Sequence, residues 1–241
     1  MKAIPPKLKK RYRWLKEHSA LEVSTGFVLE IRAEDRIGLI ADITEKLSAN
    51  KGNITYLQAW IEHDGFTHAL IQVDDSHLLD TVMDQVKAVN SVKGVEIQPS
   101  HRRIFGKRVI VMGGGAQVAQ VAHGAIAEAD RHNIRGETIS IDTIPVIGES
   151  EIAGAVRASG RLHRVGIVVL AGAIMGGKIT DAVEHIRHEH GIPVMALKMV
   201  GSVCSVADLV ITDPTEAGVM AVMLISHVGQ FDLFEIHGRE F

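Results

Sequence analysis

Residues 27–55 read FVLEIRAEDRIGLIADITEKLSANKGNIT, and this stretch decides how the chain is divided. Its opening, Phe27-Val28-Leu29-Glu30-Ile31, is dense in β-branched and aromatic residues and reads as a strand. The turn Ala33-Glu34-Asp35-Arg36 follows. Ile37, Ile40, Ala41, Ile43, Thr44 and Leu47 then recur at helical spacing and give the next helix, near 37–50, one apolar face. Gly38 falls in the first turn of that helix. Glycine inside a helix costs roughly 1 kcal/mol against alanine, so a backbone or a ligand is expected to approach closely there. Gly52-Asn53 closes the helix and Ile54 opens another strand.

Working outward, residues 26–98 give the order β-α-β-β-α-β. The first strand is expected near 27–32 and the second near 53–62, with Ile54, Tyr56, Leu57, Ala59 and Ile61 as its apolar content. His63-Asp64-Gly65 makes a tight hairpin, as Asp-Gly prefers. The third strand alternates over 66–73. A second helix spans about 76–90, with Leu78, Leu79, Val82, Met83, Val86 and Val89 as its core face, and 93–97 forms a fourth strand. This is the ferredoxin-like split βαβ unit, two helices on one face of an antiparallel sheet.

The order, the lengths and the placement of Gly38 resemble an ACT domain over residues 26–99, most tellingly in the run DRIGLIADITEKLSANKGNI from Asp35 to Ile54. The resemblance implies a regulatory module that binds an amino acid where the first strand turns into the first helix, often across a homodimer interface. Carried over by position, Glu34, Asp35, Arg36, Ile37, Gly38 and Leu39 would line that site. ACT domains that bind nothing also exist. Part of the physics stands without the family, because free N–H groups at a helix N-terminus suit a carboxylate. Asp35 either caps the helix itself or accepts an amino group.

The bulk properties bound the remainder. A chain of 241 residues holds one large domain or two small ones, and 46% hydrophobic content with only 4% aromatics means a core of Val, Ile, Leu and Ala. A net charge of −3 argues against a general nucleic-acid binder. The single cysteine, Cys204, excludes an intrachain disulfide and fits a reducing compartment. The first twenty residues lack the apolar core of a signal peptide, and the apolar runs near 165–175 and 217–228 are too short to span a bilayer. A cytoplasmic protein without membrane partners is expected. Residues 1–25 form a basic N-terminal helix or arm, with seven Lys or Arg and one Glu in the first twenty positions. This arm either meets nucleic acid or a membrane surface, or docks Trp14 and Leu15 onto its own protein or a symmetry mate.

Beyond the linker at 99–107 the composition changes. Glycine becomes frequent and strands alternate with helices, with strands expected near 108–112, 137–142, 165–171, 193–199 and 207–212. Helices are expected from the glycines at 113–115 to about 133, and near 149–159, 178–189 and 214–228. The continuous apolar run VGIVVLA at 165–171 suits a strand buried on both faces of a parallel sheet. Asp213-Pro214 supplies an N-cap and a first helical residue. The alternating tail at 231–236 reads as an added edge strand. The sum for 107–241 is a doubly wound, Rossmann-like α/β domain, which binds ligands beyond the carboxyl ends of its strands. Over residues 107–235 it is similar to an uncharacterised C-terminal domain of archaeal ACT proteins, a resemblance that brings no activity with it.

Several incomplete motifs lie in this domain. Gly113-Gly114-Gly115 stands where a dinucleotide fingerprint belongs, but Val118 replaces its third glycine, and the candidate acidic partner Asp142 lies 29 residues after Gly113 where about 20 is usual. Gly172, Gly176, Gly177 and Lys178 approach a phosphate loop, yet Ile179 takes the hydroxyl position and Thr180 comes one place late. A nucleotide or another phosphate-bearing ligand is the candidate cofactor, against glycines that merely make tight βα turns. His185, His188 and His190 lack the pattern of a metal site, and no metal is expected. Cys204 reads as a small filler, with His163 the one obvious base were it a nucleophile. Glu149 and Glu151 open a helix, where acids are favoured electrostatically. No catalytic motif is complete. The leading expectation is a sensor with an amino-acid effector on the ACT-like domain and a second ligand on the Rossmann-like one. The alternatives are an ACT-regulated enzyme with its active site in the C-terminal domain and, more weakly, a transcription regulator using the basic arm.

Overall fold

The fold follows from two hydrophobic patterns that change near residue 105. A computed structural model describes residues 4–18, 26–74, 79–235 and 240–241. The chain forms two compact units, Leu21–Ile104 and Met1–Ala20 together with Phe105–Phe241.

In the smaller unit, β1 (Phe27–Glu34), β2 (Ile54–Ile61), β3 (Phe66–Val73) and β4 (Val92–Gln98) form an antiparallel sheet in the order β2-β3-β1-β4. Alternation sorts the side chains. Phe27, Leu29, Ile31 and Ala33 of β1 and Ala69, Ile71 and Val73 of β3 face a core closed by α2 (Leu39–Ala49) and α3 (Leu79–Lys87). The fold is the ferredoxin-like ACT arrangement expected from the sequence. The expected start of the second helix at 76–78, with Leu78, lies outside the described residues, as does the side chain of Leu79. Val82, Val86 and Val89 reach the core as expected, with Met83 packed against it. Strand β2 sits at the sheet edge, and Leu57, Trp60 and Ile61 remain exposed there.

The larger unit holds a parallel sheet of five strands, β5 (Lys107–Gly113), β6 (Ile139–Pro145), β7 (Val165–Ala171), β8 (Val194–Leu197) and β9 (Leu209–Ile211). Their order is β6-β5-β7-β8-β9. Successive residues alternate between two cores. Val109, Val111, Ile167 and Val169 face α5 (Gly115–Ile134) and α8 (Pro214–Ile225). Ile110, Met112, Val168 and Leu170 face α6 (Glu149–Ser159) and α7 (Lys178–His185). Every residue of β7 is buried, as the run VGIVVLA requires. The chain steps from β5 to β6 on one side, then crosses back to β7 on the other. The carboxyl ends of β5 and β7 are therefore the topological switch point of a doubly wound sheet.

Several boundaries differ from the sequence expectation. The helix at 178–189 ends at His185 and continues as one π turn, Ile186–His190, closed by Gly191 in the left-handed region. The wider turn brings Arg187 inward, where it pairs with Asp208 through Nε–Oδ2 at 2.9 Å and Nη2–Oδ1 at 2.5 Å. Helix α8 stops at Ile225 because Ser226 leaves the helical region. Residues 231–235 form a turn rather than an edge strand, and Phe231, Leu233 and Phe234 pack on the core beside α8. Glu240 instead bridges to Val210, and Ile236 lies outside the described residues. The short helix α4 (His101–Phe105) occupies most of the expected linker.

The basic N-terminal helix, α1 (Pro6–Glu17), is part of the larger unit. Leu8, Tyr12 and Leu15 are buried. Two lysines tie its end down: Lys107 Nζ donates to the Leu15 carbonyl at 2.6 Å, and Lys16 Nζ donates to the carbonyls of Ser226 and Gly229 at 2.8 and 2.6 Å. Residues 19–25 of the expected arm lie outside the described residues. Among the described residues, no helix is long and apolar enough to cross a membrane.

Candidate functional site

Two places gather the residues singled out by sequence. The first is the turn from β1 into α2. Glu34 ends β1 rather than entering the turn; it pairs with Phe66 across the sheet and its carboxylate meets Lys93 Nζ at 2.8 Å. Asp35 does not cap α2. Its Oδ1 accepts from Thr67 Oγ1 at 2.7 Å. Arg36 acts as a clamp: Nε donates to Ser91 Oγ at 3.0 Å, while Nη2 donates to Asp42 Oδ2 at 2.5 Å and the Asn90 carbonyl at 3.2 Å. Gly38 is the N-cap, with φ of +83°, a region that L side chains rarely adopt. An added Cβ there would approach only Arg36 Nη1, at 3.8 Å, so backbone conformation rather than close approach requires the glycine. Leu39 points into the core and cannot line a site. Ile37 is 101% exposed. What remains exposed is the start of α2 at Ile37 and Gly38, framed by Arg36, whose Nη1 donates to the Ile37 carbonyl at 3.2 Å.

The second place is a cleft of about 480 Å³ beyond the carboxyl ends of β5, β6 and β7. It joins three loops that the sequence offered separately: Gly114 after β5, residues 146–149 after β6, and residues 172–177 after β7. The three glycines after β5 are not equivalent. Gly113 has φ of +133°, and a Cβ on it would lie 1.9 Å from the Ala171 carbonyl oxygen. Gly114 and Gly115 face open space. The first fixes the turn against β7, Gly114 is the N-cap of α5 and lines the cleft, and Gly115 is the first residue of that helix.

The near-phosphate-loop is already occupied by the protein itself. Glu149 Oε1 accepts the Lys178 backbone N–H at 2.6 Å, at the start of α7. A carboxylate thus stands where a phosphate would meet the helix N-terminus. Lys178 Nζ donates to Ser150 Oγ at 3.1 Å, and Thr180 and Ser202 hydroxyls bond each other at 2.7 Å. Asp142 is a correction to the dinucleotide reading. It sits mid-strand opposite Ile110, with Oδ2 3.0 Å from Arg108 Nε, rather than at the cleft.

The other candidates are placed elsewhere. Cys204 lies half-buried in a single 3₁₀ turn, its thiol directed at the carbonyls of Leu197 and Met199 at 3.6 and 3.5 Å. His185 and His190 meet edge to face, 5.6 Å between centroids. Burial, with His185 and Arg11 nearby, holds the His190 pKa below its ordinary value. Asp213 caps α8 by accepting the Glu216 N–H at 2.8 Å, as the Asp-Pro pair predicts. Sequence reasoning missed the walls of the cleft: Val146, Ile147, Ile152, Ile174, Met175 and Ile179. One signal was present, since Ile147 and Ile174 are large apolar residues set near Gly in loops, and both stay exposed.

The sequence profile of an ACT domain matches residues 27–96, and that of a domain of unknown function (DUF5612) matches residues 98–240. An uncharacterised protein of Methanocaldococcus jannaschii, MJ1458, is 50% identical over 212 residues, which cover 88% of this chain and 97% of that one. An uncharacterised protein of Archaeoglobus fulgidus is 49% identical over 215 residues, with the same coverage of 88% and 97%. Among solved structures, the chain is similar to the ACT domain from a GTP pyrophosphokinase of Chlorobium tepidum, at 25% identity and a TM-score of 0.27, covering 31% of this chain and 86% of that one. It is also similar to a formyltetrahydrofolate deformylase of Pseudomonas syringae, at 18% identity and a TM-score of 0.31, covering 70% of this chain and 63% of that one.

Proposed function

The chain belongs to the DUF5612 family and carries an ACT domain, a small-molecule-binding regulatory module, and on that footing we propose that it is a two-ligand sensor. An amino-acid-type effector binds at the first turn of α2, and a second small molecule binds in the cleft between the β5, β6 and β7 loops. The observation that carries the reading is the β1–α2 turn. Arg36 spends its guanidinium on Ser91, Asn90 and Asp42, which frames the helix start while Ile37 and the Gly38 backbone stay exposed. A frame of that kind is pre-organised for a carboxylate at helix N–H groups. The exposed edge strand β2, with Leu57, Trp60 and Ile61, supports homodimerisation through the ACT unit. Allostery then requires both ligands to bias one equilibrium, with coupling of about 1–3 kcal/mol.

The chain's two tryptophans allow a direct test, because Trp14 lies in the larger unit and Trp60 in the smaller. Full-length W14F, which keeps Trp60, is titrated with each amino acid while Tm is followed. An effector at 100 times its Kd stabilises the unit that binds it by about 2.7 kcal/mol. Ile37→Asp places a carboxylate beside the proposed site on a fully exposed position and is expected to abolish that shift without altering the starting Tm. If no amino acid moves Trp60-detected unfolding, the effector reading fails. Light scattering that finds a monomer would remove the dimer. The second reading, an ACT-regulated enzyme, is favoured by the position of the cleft at the switch point, where architectures of this kind bind substrates. Its mark would be turnover that responds to the same effector.

A further inference from the structure

We infer that the cleft takes a small apolar molecule carrying a primary amine, and that Glu149 holds the ammonium. This rests on the cleft being the second ligand site. Three observations fix the class. First, the anion position at the start of α7 is filled, because Glu149 Oε1 already accepts the Lys178 N–H at 2.6 Å. A phosphate entering there would face a carboxylate at contact distance. Lys178 turns its ammonium to Ser150 at 3.1 Å.

Second, the walls are hydrocarbon. Val146, Ile152, Met175 and Ile179 line the interior, while Ile147 and Ile174 stand on the rim, 85% and 74% exposed. Large aliphatic side chains in water at the mouth of a cleft gain from being covered by an apolar body. The volume of about 480 Å³ lies within the range of small-molecule sites. Third, Glu149 is exposed at the edge of the cleft, and its Oε2 has no protein hydrogen-bond partner among the described residues. It is the one charged side chain lining the cleft, and its sign selects a cation. A hard metal ion needs six or more oxygens, whereas a primary ammonium needs one carboxylate oxygen and one or two carbonyls.

The test uses full-length protein with isotope-labelled isoleucine δ-methyl groups, in which Ile147, Ile152, Ile174 and Ile179 report from the cleft. The probes are 3-methylbutylamine, 3-methylbutanol, inorganic phosphate and ADP. The amine is expected to shift the Ile147 and Ile174 methyl signals and to bind at least tenfold tighter than the alcohol. Glu149→Gln keeps an oxygen for the Lys178 N–H, so the fold persists; it is expected to erase the tenfold preference and leave alcohol binding intact. If the alcohol matches the amine in the unaltered protein, or the preference survives Glu149→Gln, the amine assignment is overturned while the cleft stands as a ligand site. If phosphate or ADP shifts these methyls instead, the cleft is an anion site and the inference is wrong. If no probe moves them, the reading of the cleft as a small-molecule site fails with it.

Discussion

Lys107 and Glu137 form the most buried ion pair described, with side chains 2% and 0% exposed and 2.7 Å between Nζ and Oε1. Neither charge is left short of partners. Lys107 also donates to the carbonyls of Leu15 and Ile225, while Ser226 and the His227 backbone donate to Glu137. Burial alone would raise the Glu137 pKa, but the Lys107 ammonium outweighs it, helped by Ser226 and His227, and holds the carboxyl below its ordinary 4.5. Lys107→Met leaves a carboxylate buried without its counter-ion and is expected to cost about 3–5 kcal/mol in urea unfolding at pH 7. Adding Glu137→Gln to that variant should recover part of the loss, because no unpaired charge then remains. The pH dependence has a fixed sign. A carboxyl with a depressed folded pKa binds protons more readily in the unfolded chain, so its contribution is present above 4.5 and is lost as pH falls through the folded value. The unaltered protein should therefore lose stability below pH 4.5 more steeply than Glu137→Gln. Equal slopes for the two would refute this account.

At the scale of elements, the turn between β5 and α5 separates a glycine that holds the fold from two that leave room. Gly113→Ala combines φ of +133° with a Cβ at 1.9 Å from a main-chain oxygen of β7, so β5 and β7 must separate at the cleft. It is expected to lower the unfolding free energy by several kcal/mol or to prevent folding. Gly115→Ala, at the first residue of α5 with open space around it, should be neutral or stabilise by about 0.4–1 kcal/mol. A loss of more than 1 kcal/mol in the second variant would contradict this division. The same turn shows what was legible from sequence. Local composition gave the β1 strand and the buried run of β7, alternation gave β3, and the Asp-Pro pair gave the Asp213 cap, because each depends on neighbours close in the chain. Three glycines in a row carry no mark of which one meets β7, since that contact is made with Ala171. Likewise the Lys178 loop reads as a phosphate site until Glu149, 29 residues earlier, is seen to fill it. Asp142 reads as a cofactor ligand until its partner Arg108 is found on the adjoining strand. The π turn after α7 escaped because helical periodicity cannot register one extra residue per turn.

At the scale of the whole molecule, the ACT unit is an insertion. The chain begins in the larger unit with α1, passes through residues 21–104, and returns at Phe105. The smaller unit is thus joined through the chain to the larger one at both of its ends, and α1 packs into the larger unit. Tyr12 packs edge to face on Phe234, 4.9 Å between centroids, accepts the Leu233 N–H at 2.9 Å, and has its phenol pKa pushed up by burial. Leu8 and Leu15 are 0% and 3% exposed, worth about 1.5–3 kcal/mol each when buried. Ordering the helix offsets part of this, and the net is expected to be a few kcal/mol. Deleting residues 1–18 removes those contacts and also takes from Lys107 one of its acceptors, the Leu15 carbonyl. The deletion conveniently removes Trp14, so the fluorescence of Trp60 reports only the smaller unit, while circular dichroism at 222 nm is dominated by the helices of the larger one. The dichroism-detected urea midpoint should fall and the Trp60 midpoint should stay where W14F has it. An unchanged dichroism midpoint would restore α1 to a free arm, and a matching fall in both would mean that the inserted unit does not fold independently of the larger one.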